Sequence, residues 1–492
     1  MPSLRPLLSV SFGLDARSLA LLRMTAGILF LLVRLVNLPE VVRLFSDHGC
    51  LTRAQLWAAG GHYSESFSLF LSVGHPTGVL LLYGLAMAAG VALVVGYRTR
   101  WATFLCWLFD MSLYHRNPYI NPASDNELQL CLLWGFFTPW GKLWSWDARS
   151  VRPPATKEPY LSVATAAWRM QVMAIYMGAA LIKNTHHWFD GTAVEISLKS
   201  DFWSSYLGNL VCEWALGFPG LLPQITEGVL WLEFFLPLLI LAPLWQLQAL
   251  ALLSLAAMHI VFGMCLNLET FSTVACGLMV GFLPAQAWSH LVWLERGLNQ
   301  WYSCPRRLPR VLHLPTLAQT PFEAALASWG LACMIWGNVQ AVGMSPLHLS
   351  ERASQPLRQL HLRQGWGMFV PPPHRGGWYL FRGRTQEGRW VNLISWESQP
   401  WVGPVEHTNQ AIPSSRYYLL FNARLQAPPA VAEQHARLAY NLRRLWEKSH
   451  PGALDRIDQV ELYKFTREYL PGVGFGPPAQ ALAYRGAARD PY

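Results

Sequence analysis

The chain has 492 residues, of which 52% are hydrophobic and only 14% are charged, and its formal net charge is +9. Soluble domains carry about 25% charged residues, and the mean hydropathy of this chain is +0.20, so the composition argues against an ordinary soluble protein. The 24 Trp, 23 Phe and 17 Tyr are typical of a protein with membrane–water interfaces. No run of basic residues predicts nucleic-acid binding, and we expect no nucleic-acid partner.

Apolar segments follow one another along the first 344 residues. A membrane-spanning helix needs roughly 20 mostly apolar residues, and nine segments approach this: 17–37, 77–96, 101–115, 125–140, 162–183, 226–244, 246–265, 268–287 and 322–341. The sequence therefore predicts an α-helical polytopic membrane domain over 1–344, with about nine transmembrane helices and membrane lipid around it.

Basic residues are concentrated in the loops that follow the fourth and eighth apolar segments. Because loops rich in lysine and arginine stay in the cytoplasm, this bias places the N-terminus there. With an odd number of spans, Lys183 and the region after residue 344 then lie on the outer face.

Residues 345–492 have a different character. Two strand-like runs in 378–395 are separated by the turn pair Glu387-Gly388, which predicts a hairpin. A leucine stripe predicts a helix near 431–448, and a further strand is expected over 457–465. We expect a small C-terminal extramembrane α+β domain that leans on the bundle.

Lys183 directly follows an almost wholly apolar run from Met170 to Ile182. An amine at the rim of an apolar layer loses hydration, which disfavours its charged form and is one way to make a base. The structural alternative is a lysine that reaches toward lipid headgroups and does no chemistry. His186 and His187 are adjacent and would point in different directions in a helix, so we expect no metal site here.

Ionisable residues interrupt the apolar segments, among them Asp110, Glu127, Arg169, Glu233 and His259. Charged groups at membrane depth face the bundle interior and pair with one another or with water. The sequence leaves two interpretations open: structural Arg–carboxylate pairs, or a polar cavity inside the bundle.

Several motifs resemble the vitamin K-dependent gamma-glutamyl carboxylase family, and more broadly the horizontally transferred transmembrane (HTTM) domain group. They are Phe137-Thr-Pro-Trp-Gly141, Trp144-Ser-Trp-Asp147, Tyr176 with Ala180-Leu-Ile-Lys183, Trp188-Phe-Asp-Gly191 and Trp366-Gly-Met-Phe369. The resemblance covers roughly residues 12–395. It implies a membrane lyase that uses reduced vitamin K or menaquinol, O2 and CO2 to carboxylate glutamates of an exported protein.

The resemblance also implies roles for individual residues. Lys183, in the spacing Lys-x4-Trp-x2-Gly, would be the base that takes a proton from the reduced quinone. Oxygen addition then yields a strong alkoxide base, which removes a γ-proton from glutamate, and CO2 traps the carbanion. Further side chains would line the quinone pocket or its mouth: His259, Phe271, Ser272, Trp366, Met368 and Phe369. A surrounding group would comprise Asn126, Glu127, Arg169 and Lys199.

Glu127 departs from the family pattern, because the eukaryotic enzyme has a histidine after the asparagine that matches Asn126. A carboxylate close to Lys183 would favour the ammonium form, unless Glu127 is protonated or paired with Arg169. The alternative to an enzyme is a non-enzymatic module that binds quinone or lipid, or a maturation scaffold for exported proteins.

Overall fold

The structure is a computed structural model that describes residues 5–58, 66–150, 159–200, 202–303, 320–343, 350–362, 365–394, 416–417, 419–420, 431–452, 455–470 and 474–487. Over these residues the protein is mostly helical and has a small sheet near its C-terminus. Parts of the two basic loops (151–158 and 304–319) and the predicted domain boundary at 344–345 lie outside the described residues.

The helices before residue 344 are α1 (Arg5–Phe12), α2 (Ala16–Asn37), α3 (Val41–Phe45), α4 (Arg53–Ala58), α5 (Pro76–Val95), α6 (Thr99–Arg116), α7 (Ala123–Phe136), α8 (Val163–Ile182), α9 (His186–Phe189), α10 (Ala193–Leu198), α11 (Tyr206–Leu216), α12 (Leu221–Leu239), α13 (Trp245–Cys265), α14 (Phe271–Leu278), α15 (Val292–Ser303) and α16 (Pro321–Ala341). Each of the nine predicted segments contains one of them. Among the described residues, three stretches are long and apolar enough to cross a membrane: Ala16–Phe45, Pro76–Val95 and Trp245–Cys265. These helices support a membrane protein, and the count of nine crossings stays a prediction.

The eighth predicted segment, 268–287, is helical over a shorter stretch than expected. It forms α14 and then a 3-10 turn over Met279–Phe282. Two glycines bring this segment against α2: a Cβ at Gly277 would lie 2.8 Å from Leu29 Cδ1, and one at Gly281 would lie 2.6 Å from Leu22 Cδ2. Close packing of leucine side chains of α2 on these glycines, rather than length, therefore holds the segment in the bundle.

The C-terminal region contains α17 (Glu351–Gln359), α18 (Val431–Ser449) and an antiparallel sheet of β1 (Arg375–Thr385), β2 (Trp390–Asn392), β3 (Ile457–Leu470), β4 (Gly474–Phe475) and β5 (Ala479–Gly486). The predicted hairpin is confirmed, since β1 pairs with β2 and Arg382 lies opposite Asn392. The long strand β3 pairs with β1 on one side and with β4 and β5 on the other. The predicted leucine stripe of α18 is buried at Leu438, Leu442 and Leu445.

The C-terminal region packs against one end of the bundle, where α7 begins and α8 ends; we call this the domain-facing end. Arg416 donates to Asp125 Oδ2 at 2.8 Å and to the carbonyl of Ile120 at 3.1 Å. The amide of Asn441 on α18 donates to the carbonyl of Cys50 at 2.9 Å. The buried ion pair between Arg416 and Asp125 of α7 therefore joins the C-terminal region to the bundle.

Candidate functional site

Lys183 is the C-terminal cap of α8, at the domain-facing end. The helix begins at a capping box, in which Ser162 Oγ accepts from the Thr165 N–H while Thr165 Oγ1 accepts from the Ser162 N–H. Its last turn ends where the Lys183 N–H donates to the carbonyl of Ala180 at 3.2 Å. The Lys183 side chain is only 4% exposed, so the amine does not extend into bulk water.

The amine of Lys183 has a carboxylate partner. Its Nζ lies 2.5 Å from Glu233 Oε2 on α12, and the Glu233 side chain is 9% exposed. The two side chains form a buried ion pair. The sequence points to Glu127 as the acid near the lysine, whereas the structure places Glu233 in this position.

Trp188 covers the other side of the amine. Lys183 Nζ lies 5.2 Å from the centroid of the indole, within the range of a cation–π interaction. The indole N–H donates to the carbonyl of Phe369 at 3.0 Å. One aromatic side chain therefore connects Lys183 to the loop at 365–374.

The turn after Lys183 is fastened to α12. Thr226 Oγ1 donates to the carbonyl of Gly191 at 3.0 Å. Gly191 has φ +79°, and a Cβ there would lie 2.6 Å from Pro223, so both conformation and space require glycine. Thr226 and Glu233 are seven residues apart, close to two helical turns, and so share one face of α12.

Tyr176 and His259 form a second buried polar pair deeper in the bundle. The Tyr176 hydroxyl lies 2.6 Å from His259 Nε2, and the Phe271 ring packs edge-on against the imidazole at 5.3 Å between centroids. Tyr176 lies two turns before Lys183 on α8, and both Glu127 and Glu233 are near enough to act on it electrostatically. The two pairs thus belong to one polar cluster.

Four buried polar atoms of this cluster have no hydrogen-bond partner within the described residues: Asn126 Oδ1, Glu127 Oε2, His259 Nδ1 and Ser272 Oγ. Buried polar groups in folded proteins are nearly always paired with protein, water or a ligand. These unpaired atoms on α7, α13 and α14 therefore indicate a place for polar ligand atoms or water.

A cavity of about 420 Å³ opens at the domain-facing end. Its wall includes five of the residues that the resemblance pointed to: Asn126, Phe271, Trp366, Met368 and Phe369. Flat aromatic rings and a thioether suit a ring-shaped apolar ligand. Neither Lys183 nor Trp188 is part of the described wall, but the Trp188 indole N–H donates to the carbonyl of Phe369, which is.

Two predicted residues lie away from this cluster. Arg169 is near the start of α8, at the opposite end of the bundle, where it donates to the carbonyls of Gly13 at 3.1 Å and Ile240 at 2.5 Å. It therefore does not neutralise Glu127. Lys199 caps α10 and lies 3.7 Å from Glu195 and 3.9 Å from Glu213, so local acids rather than the cavity take up its charge.

Sequence reasoning gave no functional role to Glu233 or Tyr176. A signal was present in their spacing, because Tyr176 precedes Lys183 by seven residues and Glu233 follows Thr226 by seven. Two polar residues seven apart on an apolar helix share a face, which marks the side that turns toward a neighbouring helix.

Comparison with known proteins identifies no relative: no family model, no curated protein and no solved structure matches this chain.

Proposed function

We propose that the protein is a membrane enzyme of the vitamin K-dependent gamma-glutamyl carboxylase type, which uses a reduced naphthoquinone. In this proposal the chain crosses the membrane nine times, its N-terminus is cytoplasmic, and the C-terminal domain lies on the outer face beside Lys183. The three long apolar helices support the membrane setting. The glutamates of an exported protein would approach from the outer side.

The cavity at the domain-facing end is the proposed quinol site. Its volume of about 420 Å³ falls within the roughly 300–1,000 Å³ of typical small-molecule sites. Phe271 and Trp366 provide flat apolar faces, while Asn126 Oδ1 offers a buried acceptor with no hydrogen-bond partner among the residues that the structure describes. An apolar wall with a few polar atoms is the arrangement that orients a ring bearing two hydroxyl groups.

The buried pair of Lys183 and Glu233 is the observation that carries the catalytic proposal. A paired carboxylate can accept a proton while the adjacent ammonium stabilises the anion that forms. We assign these roles to the pair, and Trp188, which contacts the amine and bonds to Phe369 of the cavity wall, links the pair to the cavity. The quinol, when bound, would supply the strong base that removes a γ-proton from glutamate, because O2 adds to its deprotonated form. CO2 would become the new carboxyl group.

A second function is favoured by the position of the amine, which is not part of the described cavity wall. The indole and Glu233 hold it by a cation–π contact and an ion pair. Under this alternative the protein binds a quinone or lipid without turnover, or acts as a maturation scaffold for exported proteins.

The test uses the purified full-length protein in lipid vesicles, supplied with reduced vitamin K, O2 and labelled bicarbonate. Quinone epoxide and label incorporated into a glutamate-containing peptide are measured for the wild type, Lys183→Met and Lys199→Met. We expect Lys183→Met to abolish epoxide formation. Lys199→Met should retain epoxide formation, because Lys199 lies at the same end of the bundle but pairs with Glu195 and Glu213.

A binding measurement separates the two functions: binding of the oxidised quinone is measured by the quenching of tryptophan fluorescence. Binding without epoxide in the wild type would favour the quinone-binding module. Neither binding nor epoxide would refute the enzyme and the quinone-binding module and would leave the lipid-binding module or the scaffold. In Glu127→His, which restores the residue expected from the resemblance, we expect more carboxylation per epoxide formed.

A further inference from the structure

A group of metal-ligating side chains lies in the turn after Lys183, outside the proposed quinol site. Ligand atoms of His186, His187 and Asp190 lie within 4.8 Å of one another. Their adjacency in the sequence predicts that the two histidines point apart. The short helix α9 instead places their ring centroids 5.7 Å apart and puts Asp190 one turn after His186.

The carboxylate of Asp190 is already oriented. Its Oδ1 accepts two hydrogen bonds from Thr192, one from the backbone N–H at 3.0 Å and one from the hydroxyl at 2.6 Å. Its Oδ2 faces His186 Nδ1 at 2.6 Å. One oxygen is therefore held by the chain, while the other is directed at a histidine nitrogen.

The tautomer of His187 follows from the same network. Thr192 gives its hydroxyl proton to Asp190, so its oxygen accepts at the 3.1 Å contact with His187 Nδ1. Nδ1 of His187 thus carries the proton, and Nε2 keeps its lone pair. A hydrogen bond on one ring nitrogen that frees the other is the usual support of a metal-ligating histidine.

A third histidine reaches this group from the C-terminal region. The His374 ring lies 5.3 Å from the His187 ring between centroids. Its Nδ1 lies 3.0 Å from the carbonyl of Pro372, which can only accept, so Nε2 of His374 also keeps a lone pair. The group thus joins the turn after α8 to the loop at 365–374.

We propose that His186, His187 and Asp190 bind one divalent transition-metal ion, with His374 as the fourth ligand. Imidazole nitrogens and one carboxylate suit Zn²⁺, which takes four ligands at about 2.0–2.2 Å. The ligand atoms must move closer together to reach these distances. Most of this movement falls on His186, whose side chain is 84% exposed. The metal would clamp the loop that holds Trp188 to the loop that carries Phe369.

The experiment is a zinc titration of the full-length protein in detergent, purified without a polyhistidine tag, in competition with a chromophoric chelator. We expect one equivalent of Zn²⁺ to bind and to raise the unfolding temperature. His187→Gln and Asp190→Asn should each weaken binding by at least about tenfold, the scale on which even supporting residues act. His374→Gln should weaken it less and should leave a smaller gain in unfolding temperature, since stabilisation by a ligand follows its affinity.

His48→Gln is the matched control. His48 also stands beside another histidine, His75, at 5.6 Å, but its Nδ1 lies 3.3 Å from the ammonium of Lys448. A cation at that point disfavours a metal, so this substitution should leave zinc affinity unchanged. Failure of the wild type to bind one equivalent, or equal affinity in the wild type and His187→Gln, would overturn the proposal. The readout requires no turnover, so it is independent of the quinol chemistry.

Discussion

The two ends of the helical bundle handle buried charge in different ways. At the end opposite the C-terminal domain, two arginines are held by backbone carbonyls: Arg23 by those of Leu93, Val94 and Trp144, and Arg169 by those of Gly13 and Ile240. At the domain-facing end, Lys183 instead pairs with a titratable side chain, Glu233, close to buried polar atoms that have no partner in the described part of the chain.

We interpret the end with Arg23 and Arg169 as a structural scaffold and the domain-facing end as the functional site. A guanidinium bonded to carbonyls stays charged and joins chain segments in one arrangement. An ammonium–carboxylate pair can gain or lose a proton, and unpartnered polar atoms beside a cavity can be satisfied by a ligand. Substitutions at the first end should therefore change stability alone, whereas those at the second should change stability and ligand chemistry together.

Removal of Glu233 should have the largest effect on stability. Glu233→Leu leaves the buried ammonium of Lys183 without its partner, and breaking a buried pair costs about 3–5 kcal/mol. Lys183→Met combined with Glu233→Leu should recover most of that loss, because an apolar replacement of both partners is close to neutral. Denaturant unfolding in detergent measures the free energies, and a double variant as unstable as the single one would contradict a direct pair.

Arg23→Met tests the scaffold end. It removes a donor from three carbonyls, of which that of Leu93 keeps the Gly96 N–H at 3.2 Å. Each acceptor left alone costs about 1–3 kcal/mol, part of which is regained by relaxation. We expect a total loss of about 3 kcal/mol. Quinone affinity per folded molecule should stay at the wild-type value, and a change in affinity would show that the two ends are coupled.

Acid should weaken the interface between the C-terminal domain and the bundle through His361. This ring packs edge-on against Tyr114 at 3.7 Å between centroids. Burial, together with the nearby His115, lowers the pKa of His361 to about 3. In the unfolded chain His361 binds a proton near pH 6.5. Its contribution to the free energy of unfolding is therefore fully present above that pH and is lost as the pH falls toward 3. The loss amounts to about 2 kcal/mol between pH 7.5 and 5.

His361→Asn is the variant for this measurement, since residue 361 has φ +55° and asparagine tolerates that conformation. Its unfolding free energy should depend less on pH between 7.5 and 5. His290→Asn, which changes an exposed histidine, should keep the wild-type dependence. If both variants behave alike, burial of His361 is not the cause.

Local patterns in the sequence predicted the helices well but not their rotation about their own axes. Apolar segments mark where helices form, and the position of Lys183 at the end of α8 follows from a polar residue after an apolar run. That Glu233 faces this lysine depends on how α12 rotates against α8, which the contact between Gly191 and Pro223 helps to set. The cavity needs the loop at 365–374 to return over residues more than 90 positions earlier, and no local pattern encodes such a contact.

The smallest expected effect on stability comes from Tyr176→Phe, which also gives the sharpest distinction between site and scaffold. The substitution removes only the hydroxyl that lies 2.6 Å from His259, and a buried hydrogen bond contributes about 0.5–1.5 kcal/mol. Tyr83→Phe is matched to it, since the hydroxyl of Tyr83 is likewise buried and donates to the carbonyl of Arg34 at 2.7 Å.

Both tyrosine variants should lose about 1 kcal/mol of unfolding free energy. Only Tyr176→Phe frees a second nitrogen of His259 beside Phe271, which lines the cavity, so only this variant should change quinone affinity in the fluorescence titration. Equal affinities in the two variants would mean that the Tyr176–His259 pair only stabilises the fold, and the site would then be confined to the cavity wall and the pair of Lys183 and Glu233.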